Sequence, residues 1–206
     1  AALADSKVEK IALVGVIEGT FTVKRDVEVT SAGATATLKG RVNVANCNPT
    51  FVNVAFDRNE TDSNAVWDKA NGSSNCLQYR AVVMIYGSTA NKVTFEQCKF
   101  YNNIGTQKSA ITNTAVELVI DECYFEGRSS AIYTQANISM TNSTINYTGT
   151  NNVVLSINGV GEAGGKVIFK NNKVTGDNIF VLGQFLSTTG FGNGKYYFDV
   201  QGNDEK

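Results

Sequence analysis

Glu96 and Asp121 stand at equivalent places in two copies of one phrase. The copies are Val93-Thr94-Phe95-Glu96-Gln97-Cys98-Lys99-Phe100 and Leu118-Val119-Ile120-Asp121-Glu122-Cys123-Tyr124-Phe125. Two carboxylates on neighbouring strands, ~5 Å apart, either raise one another's pKa or recruit a cation. Arg128 lies near enough in sequence to add a cationic partner, as do Glu117, Glu122 and Glu126 to add acids. Glu96, Asp121 and Arg128 are therefore the candidates for acid–base work. The alternative is a solvated turn with both carboxylates splayed into water. A second set surrounds Trp67, the single tryptophan, with Asp57, Glu60, Asp62 and Asp68 around it. An indole face stacks on sugar C–H groups while carboxylates accept hydroxyl hydrogen bonds. The alternative is an indole that packs its own segment onto the body of the protein. The acids do not follow the calcium-loop spacing, so Ca²⁺ is a cofactor candidate with no motif behind it, and no other cofactor is expected. Tyr124, Tyr133 and Tyr147 fall on successive copies. They form an exposed aromatic strip for a ligand if they share a face, and scattered surface tyrosines if they do not.

Composition removes several chemistries. The chain has no histidine, so Ser-His-Asp and Cys-His nucleophiles and most zinc sites are out of reach. The glycine-rich run from Gly159 to Gly165 has no Lys-Ser/Thr after it and makes no phosphate loop. Net charge is -1 with no basic stripe, which argues against nucleic acid as a partner. No apolar run is long enough to span a bilayer. Charged residues make up 18% of the 206 positions, below the usual quarter. Asn, Thr, Ser and Gly fill the gaps, as in turn-rich β proteins that work outside the cell. The chain begins at Ala1 without an initiator Met, as it would after signal-peptide removal or within a longer protein. An extracellular or cell-surface location and a monomer are expected.

The phrase itself sets the architecture. It returns as Ile138-Ser139-Met140-Thr141-Asn142-Ser143-Thr144-Ile145 and as Val167-Ile168-Phe169-Lys170-Asn171-Asn172-Lys173-Val174, with an earlier copy ending Phe51-Val52-Asn53-Val54-Ala55-Phe56. Repetition over a few tens of residues means one unit stacked on itself. Alternation within each copy is that of a strand. An antiparallel sandwich has no need of a fixed register between copies. A parallel β-helix has, because each turn of chain lies directly on the last. The repeat spacing is irregular: 25 residues from Cys98 to Cys123, 20 on to Ser143 and 29 on to Asn172. That irregularity points to the right-handed form. The expectation is one all-β domain over 1–206, a right-handed parallel β-helix solenoid of about seven to eight coils. It carries an N-terminal cap over 1–10, drawn as a short amphipathic helix. A long loop insertion covers 57–78, and a last rung and tail cover 183–206. Asn53, Gln97, Glu122, Asn142 and Asn171 align just before the small inward residue, where a left-handed backbone favours Asn. Cys98 and Cys123 read as a buried, reduced stack. Cys47 and Cys76 flank the insertion and either bridge it, closing a loop of about 29 residues, or stay as two thiols.

Ile11-x-Leu13, Gly19-Thr20-Phe21, Val27-x-Val29 and Ala36-Thr37-Leu38-Lys39-Gly40 together resemble the opening coils of pectin-lyase-like right-handed β-helix proteins. The later Cys98 and Cys123 phrases resemble their central coils. The likeness runs from about Val8 to Val200 and is nearest to small secreted β-helix proteins of gut bacteria. It implies the fold and, for many members, action on acidic polysaccharides. No lyase motif transfers residue by residue, and the polygalacturonase constellation needs a histidine that is absent. The functional expectation is a secreted or cell-surface module, non-catalytic, that binds carbohydrate or a surface protein along one flank. The alternatives are a polysaccharide lyase-like enzyme and a structural spacer or stalk.

Overall fold

The computed structural model describes residues 2–57, 81–88, 90–102, 109–113, 116–127, 130–134, 136–147, 153–158, 165–176, 180–185 and 196–205. Among these the regular structure is all-β, apart from one 3-10 turn at Ala2–Ala4. The first strands are β1 Lys10–Leu13, β2 Val16–Val23, β3 Glu28–Ser31, β4 Ala36–Ala45, β5 Thr50–Val52, β6 Val54–Asp57 and β7 Val83–Tyr86. Next come β8 Lys92–Glu96, β9 Lys99–Asn102, β10 Ser109–Asn113, β11 Glu117–Asp121, β12 Tyr124–Gly127, β13 Ser130–Thr134 and β14 Ile138–Thr141. The last are β15 Thr144–Tyr147, β16 Val153–Asn158, β17 Gly165–Lys170, β18 Lys173–Thr175, β19 Phe180–Phe185, β20 Tyr196–Gln201 and β21 Asp204–Glu205.

All the pairings among these strands are parallel, and no hairpin joins them. One sheet runs β1-β3-β5-β8-β11-β14-β17-β20. The other is two stacks that share β4. That strand pairs with β6 through Ala36–Lys39 and with β7 through Val42–Ala45. β9, β12, β15, β18 and β21 follow β6; β10, β13, β16 and β19 follow β7. Each copy of the phrase thus gives a strand to each of two stacks, and the apolar run that follows it gives one to the third. Aligned residues of the phrase are in register, with Phe95 beside Ile120, Ile120 beside Met140, and Met140 beside Phe169.

The core lies between the stacks. β11 alternates exposed and buried along its length, and Phe51, Phe56, Phe95, Phe100, Phe125 and Phe169 are fully buried. Phe51 stacks on Phe95 at 5.1 Å, and Phe100 stacks on Phe56 at 5.0 Å and on Phe125 at 4.6 Å. The turn between the first two strands of each copy takes a left-handed backbone. Asn53, Gln97, Glu122, Asn142 and Asn171 all have φ between 51° and 55°, so the aligned polar position has one backbone cause in every copy. The small residue after it turns inward. Cys98 and Cys123 are buried thiols there, Ser143 donates to the Thr141 carbonyl, and Asn172 Nδ2 donates to the Met140 carbonyl.

Two expectations change. The described residues of the 1–10 segment form no amphipathic helix. Asp5 Oδ1 accepts the Lys7 amide at 3.0 Å, a local side-chain bond that competes with helix propagation, and only the turn at Ala2–Ala4 remains. Tyr133 and Tyr147 are not on an exposed strip but are buried, at 4% and 3% exposure. Tyr133 lies in the third stack between Thr112 and Ser156, both buried. Tyr147 ends β15 on its core side, where burial holds its phenol well above the ordinary pKa and its hydroxyl finds no partner among the described residues. An unpaired buried hydroxyl costs about 1–3 kcal/mol. Tyr147→Phe is therefore expected to stabilise the fold by about 1 kcal/mol, read as a higher denaturation midpoint with unchanged slope. No helix among the described residues is long and apolar enough to cross a membrane.

Candidate functional site

The second stack presents a continuous outward face. Phe56, Phe100, Phe125 and Ile145 point into the core, so the next residue of each strand points out. Those residues are Asp57, Tyr101, Glu126 and Asn146, in register one above another, with Lys39 beside Asp57 at the β4 end. Successive members are ~4.8 Å apart, the spacing of stacked strands. The neighbouring outward column holds Lys99, Tyr124 and Thr144. Tyr101 and Tyr124 meet edge to face with ring centroids 6.4 Å apart, and the Tyr124 hydroxyl donates to Glu126 Oε2 at 2.7 Å. Two aromatic rings, two carboxylates, an amide and two ammonium groups share this surface. Lys39 also pairs with Glu18 at 3.4 Å, an exposed contact of little energetic weight.

The face is partly dehydrated. Burial raises the Asp57 carboxyl above its ordinary pKa, with the Lys39 charge opposing. Burial also raises the Tyr101 phenol, helped by Glu126 on one side and Asp57 on the other. Tyr124 is raised chiefly by its hydrogen bond to Glu126. With their pKa values raised, Tyr101 and Tyr124 stay neutral phenols beside the two acids. Such an array accepts and donates hydrogen bonds beside apolar ring surface. Among the described residues no three His, Cys, Asp or Glu side chains group as a metal site.

No protein-family model, curated protein or solved structure matches this chain.

The structure distributes the sequence candidates unevenly. Asp57 and Tyr124 come together on the face just described. Glu96 and Asp121 are neighbours in register on the first stack. Asp121 Oδ1 accepts from Thr141 Oγ1 at 2.6 Å and from Asn142 Nδ2 at 2.8 Å, so that carboxylate ties two strands and a turn together. Glu122 likewise accepts from Gln97 at 2.8 Å. Arg128, Trp67, Glu60, Asp62, Asp68 and Cys76 lie outside the described residues, as does all of the 57–78 insertion except Asp57. Cys47 is a buried thiol that donates to the Val23 carbonyl at 3.5 Å, and burial pushes its pKa up to about 11. Cys123 is raised well above the usual thiol value by burial and by Cys98 beside it.

Sequence reasoning missed Tyr101, Lys39 and Asn146 and gave Glu126 no role on this face. The signal was present. Phe56, Phe100, Phe125 and Ile145 align in the repeat, and the residue after each must share their column on the opposite side of the strand.

Proposed function

We propose that this chain is a non-catalytic carbohydrate-binding module built as a right-handed parallel β-helix of the pectin-lyase-like kind, working outside the cell or at its surface. The all-parallel pairing, the three strands per repeat and the right-handed habit of connections between parallel strands support the architecture. The binding reading rests on one observation: the Tyr101–Tyr124 pair, tethered through Glu126 and set beside Asp57, on a rigid outward face. Sugar rings offer C–H faces to aromatic rings and hydroxyls to carboxylates. A ladder with a ~4.8 Å repeat suits an extended glycan chain that lies along the stack. The lyase-like alternative keeps the adjacency of Glu96 and Asp121 but finds Asp121 already engaged by Thr141 and Asn142.

A glycan array followed by titration of the hits tests the reading. Tyr124→Ala and Tyr101→Ala are each expected to weaken binding about tenfold, the loss of about 1.4 kcal/mol. Tyr197→Ala, an exposed tyrosine of β20 on another stack, should change nothing. An array on which no glycan binds would sink the proposal.

Asp57→Asn separates binding from folding. The native pKa of Asp57 lies above its unfolded value. Its ionised form therefore weakens the fold; the penalty is absent below the unfolded pKa and complete above the native one. Asp57→Asn should raise the melting temperature at neutral pH while lowering glycan affinity. The thermal gain should fade as the pH falls below ~4, where both states are protonated.

A further inference from the structure

The aromatic ladder stops short of the N-terminal end. In the first stack the column reads Ile11, Val29, Phe51, Phe95; in the second it reads Ile17, Leu38, Phe56, Phe100. Smaller side chains in the first two layers leave a cavity of about 310 Å³ with an apolar lining that includes Leu3, Ile11, Leu13, Phe21, Val29 and Phe51. An apolar cavity of ~150 Å³ stays dry and takes up benzene, so this one has room for a chain of about ten carbons. The cavity is not sealed. Ala2 on its lining is exposed, and Leu3, Ile11, Leu13 and Ile17 are only half-buried.

A cation stands over the same end. The Ala2–Ala4 turn gives Ala2 and Leu3 to the cavity lining, and Arg25 holds that turn, with Nε on the Leu3 carbonyl at 3.2 Å and Nη2 on the Ala2 carbonyl at 3.1 Å. Nη1 donates to the Asp26 carbonyl at 3.4 Å. A guanidinium has five N–H donors, so two are left for an anion. The Asp26 carboxylate is turned to Asn48, accepting its amide at 2.6 Å and its side-chain Nδ2 at 3.1 and 3.2 Å, and among the described residues no ion pair joins it to Arg25.

We propose that this end of the protein binds a free medium-chain fatty acid, its aliphatic tail in the cavity below Leu3 and its carboxylate on Arg25. The site is distinct from the tyrosine face and does not depend on it. Sodium decanoate, below its micelle concentration, is the probe, with decanol as the neutral control. Calorimetric titration should show one saturable site for decanoate. Arg25→Gln should weaken decanoate about tenfold and decanol by much less, while Arg25→Lys should restore most of the decanoate affinity. Leu13→Trp, which fills the cavity from an edge strand, should abolish both. Should that variant fail to fold, spin-labelled decanoate added to the wild type must broaden the methyl signals of Ile11, Leu13 and Val29 ahead of those of Ile132 and Leu155. Absence of saturable decanoate binding overturns the proposal, as does undiminished binding in folded Leu13→Trp or broadening elsewhere. Equal losses of decanoate and decanol in Arg25→Gln overturn the role of the carboxylate. Sedimentation with phosphatidylglycerol vesicles without decanoate binding would mark the end as a membrane contact and overturn the proposal equally.

Discussion

Replacing Gly40 by alanine is expected to prevent folding or to cost at least ~4 kcal/mol, the upper range for single substitutions. Gly40 and Gly19 sit side by side in β4 and β2, both with positive φ, at 133° and 144°. At this point β4 leaves the second stack, which it joins through Lys39, and enters the third, which it joins from Val42. The bend needs a backbone that side chains rarely allow. Strain alone would cost about 1–3 kcal/mol. At Gly40 a steric block adds to it, because a Cβ would lie 2.0 Å from the Gly19 carbonyl oxygen and 3.0 Å from its carbon. Both are backbone atoms, so no rotamer relieves the contact. Gly19 provides the control. Its own Cβ would meet nothing nearer than the Phe21 ring at 3.9 Å, so Gly19→Ala carries the strain without the block. Denaturant titration of the two variants should place Gly19→Ala between wild type and Gly40→Ala. Equal destabilisation would show that the backbone conformation, not the close approach, is what Gly40 supplies.

Gly40 also shows what the sequence made legible and what it did not. The Gly19-Thr20-Phe21 and Leu38-Lys39-Gly40 segments stood out as parts of an opening run, but nothing in one chain says that the two glycines touch. Where the phrase repeats, more is legible. Parallel strands put identical offsets at identical positions, so Phe95 above Ile120 and the left-handed turn at Asn53, Gln97, Glu122, Asn142 and Asn171 were both readable. The same offsets place Tyr101 beside Asp57 and Glu126, whereas a lone tryptophan among carboxylates, as at Trp67, is a local pattern legible without the repeat. Tyr133 misled for a related reason. Tyr124 alternates between two inward residues and must face out, whereas Tyr133 lies in a stack that is buried on both faces, and a strand of that kind has no alternation to read. Asp121 pairs in register with Glu96, as the alignment of the copies implies. Its bonds to Thr141 and Asn142 depend on side chains from the following copy, which the pairing of two acids alone does not reveal.

Phe100→Ala carries the second large effect and tests the stack from within. Phe100 has no exposed surface and stands in the middle of the ladder. It lies flat on Phe56 at 5.0 Å and on Phe125 at 4.6 Å, and meets Phe95 edge-on at 5.3 Å. Truncating a buried phenylalanine costs about 3–5 kcal/mol through lost transfer energy and the cavity left behind. Aromatic pairs add about 0.5–1.5 kcal/mol each beyond area, so this position belongs at the top of that range. Relaxation is restricted, because the neighbours above and below are held by backbone pairing with β6 and β12. Phe198 is the control: it stands beside Val167 at the end of the Val93, Leu118, Ile138 and Val167 column, in the last strand of the first sheet, and is 40% exposed. Phe198→Ala should cost ~1 kcal/mol or less, since much of its surface is already in water. If stability is carried from layer to layer, as in stacked repeats, Phe100→Ala should also split the unfolding transition or lower its slope, while Phe198→Ala leaves a single transition. Equal midpoints for the two variants would mean that the aromatic ladder does not hold the layers together.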